Sequence, residues 1–270
     1  MSKTLKAQHE SPARSTFQIA AGWQPVAREL GLDADAVFTH PDIRAWRKLP
    51  DRQNCTLDAT LADGRRLRLH VKRYAPTRHD TTPAQDEVAG HEHLVHYDIP
   101  TANLVAWGAV ADGRSFVIFE DLAGFTPADK LIEAGADFAQ LSPIMADITA
   151  RMHQAGLHHR DLYLCHFMVK TAGPQIDIRV IDPARVRRLP SFFNRGRWVV
   201  KDLAQFWYST LKLPITQTAR QDWLVHYCLQ RQLPGHALMR GNIESKVKRI
   251  ARHDAKLNRL KPNRNVSIPW

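Results

Sequence analysis

The chain has 270 residues, of which 44% are hydrophobic and 24% charged, a composition typical of a globular protein with one two-lobed domain or two small ones. No apolar run approaches the roughly 18 residues that span a bilayer. The polar start of the chain also lacks the apolar segment of a secretory signal. The three cysteines are far apart and show no metal-binding spacing, which favours a reducing, cytoplasmic location.

The formal net charge of +11 favours a negatively charged partner, and the basic residues are concentrated in two runs. Residues 183–198 contain five arginines and no acid, and residues 240–264 contain nine basic residues against two acidic ones. One such run is typical of a solvated surface. Two runs in one chain favour nucleic acid, an acidic membrane face or a phosphorylated substrate.

The first half of the chain is predicted to be rich in strands. Residues 1 to about 15 are polar and are predicted to be disordered. Residues 54–74 predict a β-hairpin around the turn Ala62-Asp63-Gly64, and residues 83–97 predict a helix that starts near Pro83. Two further strands are predicted in residues 105–110 and 115–122, joined by a turn at residues 111–113.

The second half is predicted to be mostly helical. Apolar residues at helical spacing predict a helix over residues 142–153, followed by a loop and a short strand pair in residues 166–170 and 176–182. Three more helices are predicted, over residues 199–212, 219–232 and 244–257. The order predicts an α+β fold, with an N-terminal lobe over residues 1–122 and a reduced, mostly helical C-terminal lobe over residues 123–270.

The letters HRD at residues 159–161 begin the catalytic loop of protein kinases, where the Asp receives the acceptor hydroxyl. Three letters alone are a weak signal. The context is stronger, because residues 153–161 carry the kinase spacing H-x-x-G-Φ-x-H-R-D, where Φ is apolar, behind a predicted apolar helix. Asp161 is therefore the candidate catalytic residue.

Two further parts of a phosphoryl-transfer site can be sought in kinase order. Asp182 ends a β-rich run after the catalytic loop, where a kinase has its magnesium-chelating Asp, although Pro183-Ala184 follows instead of Phe-Gly. Lys72 lies on a predicted strand that alternates apolar residues with polar ones, so its side chain is expected on the face opposite the apolar one. Its partner is predicted on the helix that starts near Pro83.

Two positions depart from the kinase pattern. His166 stands where a kinase has the Asn that holds a second magnesium ion, and three interpretations remain open: a poor metal ligand, a hydrogen bond to the side of Asp182, or a buried structural histidine. A glycine-rich phosphate loop is absent, and residues 49–54 take its place. There, Arg52 or backbone amides would have to contact the nucleotide phosphates.

The loop His159–Phe167, with its Tyr, Cys-His and Phe, resembles the lipopolysaccharide core heptose kinases, within the broader family of Kdo and heptose kinases. The Kdo branch has Asn at the position of His166, so the loop favours the heptose branch. The resemblance covers roughly residues 45–215. Beyond the loop it is carried by Lys72-Arg73-Tyr74, Glu87 to Ile99-Pro100, Val105-Ala106-Trp107-Gly108, Glu120-Asp121-Leu122 and Lys201-Asp202-Leu203-Ala204.

The resemblance implies a protein-kinase-like fold and ATP-dependent phosphorylation of a heptose hydroxyl in the lipopolysaccharide inner core, on the cytoplasmic face of the inner membrane. It implies ATP and Mg²⁺, with Asp161 as the catalytic residue, Asp182 and His166 at the metal, and Lys72 at the nucleotide. It selects Glu87 rather than Glu92 as the partner of Lys72.

An anionic acceptor agrees with the arginines that follow Asp182, of which Arg187 and Arg188 are predicted to lie nearest to it. The basic stretch from residue 246 to residue 261 is predicted to contact an anionic membrane. A small-molecule phosphotransferase of the aminoglycoside-kinase type is a weaker alternative, since such sites are lined with carboxylates. A non-catalytic pseudokinase or nucleic-acid-binding module is the third interpretation, with nucleic acid an unlikely partner.

Overall fold

A computed structural model describes residues 14–77, 81–173, 175–190, 192–234 and 236–260. The predicted disorder of the first 15 residues therefore lies almost wholly outside the described residues, as does the basic tail from residue 261.

A six-stranded antiparallel sheet forms the N-terminal part of the fold, in the spatial order β1-β5-β6-β4-β3-β2. Its strands are β1 Thr16–Ile19, β2 Ile43–Lys48, β3 Arg52–Thr60, β4 Arg66–Tyr74, β5 Leu104–Ala109 and β6 Ser115–Glu120. The predicted alternation is present on β4, where Leu67, Leu69 and Val71 are buried and Lys72 points to the other face.

Two short helices, α1 (Gln24–Glu29) and α2 (Ala36–Thr39), connect β1 to β2 and were not predicted. Their buried residues Val26, Ala27 and Val37 belong to one apolar cluster with the inner face of the sheet. They close the side of the sheet that faces away from Lys72.

Helix α3 (Pro83–His96) is inserted between β4 and β5, as predicted. Thr82 caps its N-terminus with a capping box, in which the Thr82 side chain accepts from the amide of Gln85 and the Gln85 side chain accepts from the amide of Thr82. Pro83 at the first turn suits a position that needs no amide donor. These local signals explain why the helix start was predictable.

The C-terminal part is mostly helical and has its own apolar core. Its helices are α4 Ala128–Glu133, α5 Phe138–Gln154, α6 Phe192–Thr210, α7 Gln217–Gln230 and α8 His236–Leu260. Its short strands are β7 Thr126–Pro127, β8 Leu157–His158, β9 Phe167–Ala172, β10 Gln175–Val180 and β11 Arg187–Arg188. β10, β9 and β7 form one small sheet and β11 pairs with β8.

Helix α5 starts four residues earlier than predicted, because Asp137 caps it by accepting from the amide of Ala139. Pro143 therefore lies inside this helix rather than at its start. Helix α4 was not predicted.

The α+β class, with a β-rich N-terminal part and a mostly helical C-terminal part, is confirmed. The division at residue 122 stays a prediction. Among the described residues, no helix combines the length and apolarity that crossing a membrane requires.

Candidate active site

Lys72 is held between two carboxylates in the cleft between the sheet and the C-terminal part. Its Nζ donates to Glu87 Oε1 at 2.6 Å and to Asp182 Oδ1 at 2.6 Å. Burial opposes the charge of Lys72, but the two carboxylates outweigh it and raise the pKa of this amine above its ordinary value. Lys72 also holds the pKa of Asp182 well below its usual range, against the effect of burial. Lys72 is therefore a permanently charged ammonium group at this point of the cleft.

Glu87 is fully buried, and its Oε1 also accepts a 2.5 Å hydrogen bond from the hydroxyl of Tyr74. Its Oε2 is buried without a hydrogen-bond partner among the described residues. Glu92, the other candidate on α3, is exposed. Geometry thus makes Glu87 the partner of Lys72, and sequence reasoning missed the contribution of Tyr74.

Asp182 has left-handed backbone angles (φ 63°, ψ 58°), which a non-glycine residue adopts at a cost. Neighbouring elements hold it there. A Cβ on Gly90 of α3 would lie 1.9 Å from the carbonyl oxygen of Pro183, so only glycine allows the helix this close to the residue after Asp182. The strained turn points the Asp182 carboxylate at Lys72.

The buried carboxylate of Asp202 on α6 hydrogen-bonds to the backbone of the HRD loop. Asp202 accepts from the backbone amides of His159 at 2.6 Å and Arg160 at 2.8 Å. Arg160 has a left-handed φ of 71°, so these bonds stabilise a loop conformation that is otherwise unfavourable. Sequence reasoning noted Asp202 only as part of a matching segment, because a buried acid in an apolar helix gives no local clue to its partner.

The loop is also tied to the strand that carries Asp182. The buried His159 side chain contacts the carbonyl of Ile181 through Nε2 at 3.1 Å, and the amide of Ile181 donates to the carbonyl of His166 at 3.0 Å. Burial, with the nearby charge of His166, lowers the pKa of His159, so its imidazole is neutral and Nε2–H donates. These bonds therefore fix the loop that carries Asp161 relative to the segment that carries Asp182.

The carboxylate of Asp161 forms an ion pair with Arg185, which sequence reasoning did not select as a site residue. Arg185 Nη1 donates to Oδ1 at 3.0 Å and to Oδ2 at 3.1 Å. Gln205 Nε2 lies 3.4 Å from Oδ1 and donates to the hydroxyl of Tyr163 at 3.2 Å. Arg185 belongs to the short turn after Asp182, and no sequence pattern indicates that this turn faces the HRD loop.

His166 lies between the two aspartates. Its Nδ1 is 2.6 Å from the carbonyl oxygen of Asp161, and its Nε2 is 3.7 Å from Asp182 Oδ2. Burial disfavours its charge, but Cys165, Asp182 and the Asp161 carbonyl together raise the pKa of His166 to about 9. A protonated imidazole donates hydrogen bonds and has no free lone pair for a metal. The hydrogen bond that His166 makes is to Asp161, and at 3.7 Å its contact with Asp182 is an ion pair and not the predicted hydrogen bond. Metal binding by His166 stays a prediction.

A cavity of about 480 Å³ opens beside Lys72, a size typical of small-molecule sites. It is lined by His70, Arg52, Asp182 and His166, among others. In the position of a glycine-rich loop the chain has the tight turn between β2 and β3. Arg52, at the end of this turn, has a buried Nε without a hydrogen-bond partner among the described residues.

His70 also lines this cavity, and its Nε2 lies 2.6 Å from Asp121 Oδ1. This contact joins β4 to the segment that follows β6. A polar pair therefore forms part of the cavity wall.

The two arginines predicted to lie nearest the acceptor are placed differently from that expectation. Arg187 binds Asp86 of α3 at 2.7 Å and donates to the carbonyl oxygens of Ala184 and Val186, so its guanidinium holds the turn to α3. Arg188 is exposed. It is Arg185 that contacts Asp161, and acceptor binding by Arg187 and Arg188 stays a prediction.

Sequence comparisons with known proteins agree on one family. The sequence model of the lipopolysaccharide kinase (Kdo/WaaP) family matches residues 60–227. The lipopolysaccharide core heptose(I) kinase WaaP of Pseudomonas aeruginosa is 28% identical over 162 residues, which cover 53% of this chain and 59% of that protein. The enzyme of the same name from Escherichia coli K12 is 32% identical over 126 residues, covering 40% and 44%. The chain thus spans about half the length of the curated relatives it matches.

Among solved structures, the Cydia pomonella granulovirus kinase PK-1 matches with a TM-score of 0.45 at 15% identity, over 76% of this chain and 71% of that one. The pseudokinase domain of BIR2, an immune regulator of the RLK/Pelle family, matches with a TM-score of 0.43 at 13% identity, over 76% and 72%. At these scores the likeness adds nothing to the fold described above. The family match covers more than half of the chain, from the last residue of β3 into α7, and includes Lys72, Glu87, Asp161 and Asp182. The chain belongs to the lipopolysaccharide kinase (Kdo/WaaP) family.

Proposed function

We propose that the chain transfers the γ-phosphoryl group of ATP to a heptose hydroxyl of the lipopolysaccharide inner core. The observation that carries this proposal is the position of Lys72, bound to both Glu87 and Asp182 beside a cavity of nucleotide size. A cation fixed by a buried carboxylate is the arrangement with which kinases hold nucleotide phosphates. Relatives that carry the name heptose(I) kinase support the acceptor class.

Two cations are available for the nucleotide phosphates. The Nζ of Lys72 carries a charge that its partners keep permanent, and Arg52 lies close enough for its charge to lower the pKa of Asp182. The partnerless Nε of Arg52 is a donor that a phosphate oxygen would satisfy. In this proposal Arg52 replaces the missing glycine-rich loop.

Asp182 fits the role of a magnesium ligand in a site that the nucleotide completes. The described residues contain no group of three His, Cys, Asp or Glu side chains that could hold a metal by themselves. Mg²⁺ in kinases is commonly held by one or two carboxylates together with substrate phosphates and water. When bound, the ion would neutralise charge on the phosphates. The lowered pKa of Asp182 keeps its carboxylate ionised for this role.

Asp161 is proposed to receive the proton of the acceptor hydroxyl. The O–H bond of the sugar breaks and its proton passes to a carboxylate oxygen of Asp161, while the sugar oxygen bonds to the γ-phosphorus. The bond from the γ-phosphorus to the bridging oxygen breaks, and ADP leaves with that electron pair. Asp202 serves this step indirectly, because it fixes the loop from which Asp161 projects.

Peripheral contact with an anionic membrane is part of the proposal, since the acceptor is a lipid-linked sugar at the cytoplasmic face of the inner membrane. Helix α8 buries Ile243 and Val247 against the fold. Its exposed basic side chains, here called the basic face of α8, are Lys248, Arg249, Arg252, Lys256 and Arg259. Each such charge near an acidic surface contributes about 1 kcal/mol of binding at low salt.

The alternatives are less favoured by the site. A phosphotransferase for cationic acceptors would need carboxylates around Asp161, whereas Arg160, Arg185 and Lys201 surround it. A pseudokinase would be expected to have lost Lys72, Asp161 or Asp182, and all three are present.

Deleting the gene in its host and analysing phosphate on the core oligosaccharide tests the proposal. We expect one inner-core heptose to lose its phosphate, and a plasmid copy to restore it, whereas an Asp161→Ala copy should not. Unchanged core phosphate in the deletion strain would remove the lipopolysaccharide core as the acceptor.

A further inference from the structure

Arg185 and Asp161 form an ion pair that blocks the proposed proton acceptor. The guanidinium donates to both carboxylate oxygens, at 3.0 and 3.1 Å, so no oxygen of Asp161 is left free of a cation. The Arg185 side chain is half exposed, at 49%, whereas Asp161 is 23% exposed. Because the arginine side of this pair is half exposed, water can solvate the guanidinium when it leaves the carboxylate.

A group of cations lies beside this pair, around the ring of Trp198 on α6. The guanidinium carbon of Arg160 is 5.0 Å from the ring centroid and Nζ of Lys201 is 5.2 Å from it. Lys201 Nζ also lies 3.3 Å from the carbonyl oxygen of Arg160. After burial, the charge of Arg185 is the next cause that lowers the pKa of both Arg160 and Lys201. Arg185, Arg160 and Lys201 therefore share one region of positive potential.

Acids in this region do not balance the cations. Within the described residues, neither Arg160 nor Lys201 has a carboxylate within 4.0 Å, and Nε of Arg160 is buried without a hydrogen-bond partner. The buried carboxylate of Asp202 accepts from the amides of His159 and Arg160 and also lies 3.4 Å from His153 Nε2. Among the residues that the structure describes, the one ion pair in this group is that of Arg185 with Asp161. An anion that entered here would satisfy an unpaired donor and three charges at once.

We infer that the acceptor carries a phosphate or carboxylate group close to the hydroxyl that is phosphorylated, and that this group binds Arg185, Arg160 and Lys201 and draws Arg185 away from Asp161. This inference rests on the proposed function and names the chemistry that selects the acceptor. Arg185 is then a positioning residue. With an anionic acceptor bound, Asp161 is free to take the hydroxyl proton; with a neutral sugar or water, it stays paired.

Three synthetic heptosides test this inference, identical except for a phosphate, a carboxylate or a neutral hydroxymethyl group beside the acceptor hydroxyl. Binding of each is measured by calorimetry and transfer by steady-state kinetics. We expect the wild-type chain to prefer one or both charged heptosides, and the better of the two identifies the anion. In Arg185→Gln, kcat/KM for that heptoside should fall about 10- to 100-fold, the worth of a charged hydrogen bond. Transfer to the neutral heptoside should instead rise, because Asp161 is then no longer paired with Arg185.

Controls separate this role from a structural one. Arg65→Gln removes another half-exposed arginine paired with an aspartate, far from the site, and should leave the preference unchanged. Arg185→Lys should retain part of the preference, because the charge remains. Equal binding of charged and neutral heptosides by the wild-type chain would overturn the inference. So would an equal loss on all three heptosides in Arg185→Gln. Charge-selective binding without any transfer would instead contradict the proposed function.

Discussion

Glu87→Gln is the substitution that most directly probes the cleft. In the native chain Glu87 Oε1 accepts from Lys72 Nζ at 2.6 Å and from the Tyr74 hydroxyl at 2.5 Å, while Oε2 is buried and partnerless. The glutamine keeps the shape and one acceptor oxygen. It loses the charge opposite Lys72 and places an amide NH₂, which must donate, at the buried position where Oε2 has no partner among the described residues.

Two costs follow from these contacts. Weakening a hydrogen bond to a charged group costs about 1.5–3 kcal/mol, and a buried donor without an acceptor costs about 1–3 kcal/mol. Removing one partner of a buried ion pair typically costs about 3–5 kcal/mol, which agrees with the sum of these two costs. We expect the free energy of unfolding of Glu87→Gln to fall by about 3 kcal/mol. Phosphoryl transfer should fall at least about tenfold, because Lys72 is then held by Asp182 alone.

Urea unfolding, followed by circular dichroism at unchanged m value, measures the first effect, and transfer from labelled ATP measures the second. Glu92→Gln is the matched control, since Glu92 lies on the same helix but is exposed. It should change stability by less than about 0.5 kcal/mol. If Glu92→Gln were inactive and Glu87→Gln as stable and active as the native chain, the assignment of the Lys72 partner would be refuted.

Three further predictions concern the other residues of the site and the surface. Asp161→Ala should lower turnover by about 10² to 10⁴ with an unchanged melting temperature; near-normal turnover would argue against Asp161 as the proton acceptor. Lys72 depresses the pKa of Asp182, so that carboxylate adds stability above about pH 4 that is lost as the pH falls. Urea midpoints from about pH 6 down to about pH 3 should therefore drop less in Asp182→Asn than in the native chain, and parallel curves would contradict this. The basic face of α8 should bind vesicles that contain anionic lipid and release them at high salt. Sedimentation with neutral vesicles, or binding that ignores salt, would contradict membrane contact through α8.

Local sequence patterns predicted those parts of the site whose geometry is set within one element. Period-two alternation on β4 placed Lys72 on the face opposite Leu69 and Val71, and this is how the strand lies. Pro83 marked the start of α3, but the choice of Glu87 over Glu92 came from the family resemblance and not from a local pattern. The strand end at Asp182 was visible as a β-rich run that stops at a proline.

The features that sequence missed depend on contacts between distant segments. Strand β1 pairs with β5 across some ninety residues, Thr16 opposite Ala109, and its four residues are too few to show a period. Helices α1, α2 and α4 have four to six residues each, and the same reason applies. Five arginines follow Asp182, and the sequence does not indicate which of them contacts Asp161. The short turn after Asp182 brings Arg185 to it. That turn depends on α3 packing at Gly90.

The central claim is tested most directly by incubating the purified chain with ATP, Mg²⁺ and dephosphorylated inner-core oligosaccharide, and locating the product phosphate by tandem mass spectrometry. The account predicts one added phosphoryl group on a heptose, with stoichiometric ADP, and no product from Lys72→Met or Asp161→Ala. An oligosaccharide that stays unmodified under conditions where the chain binds ATP, or a phosphate that appears equally with Asp161→Ala, would contradict it.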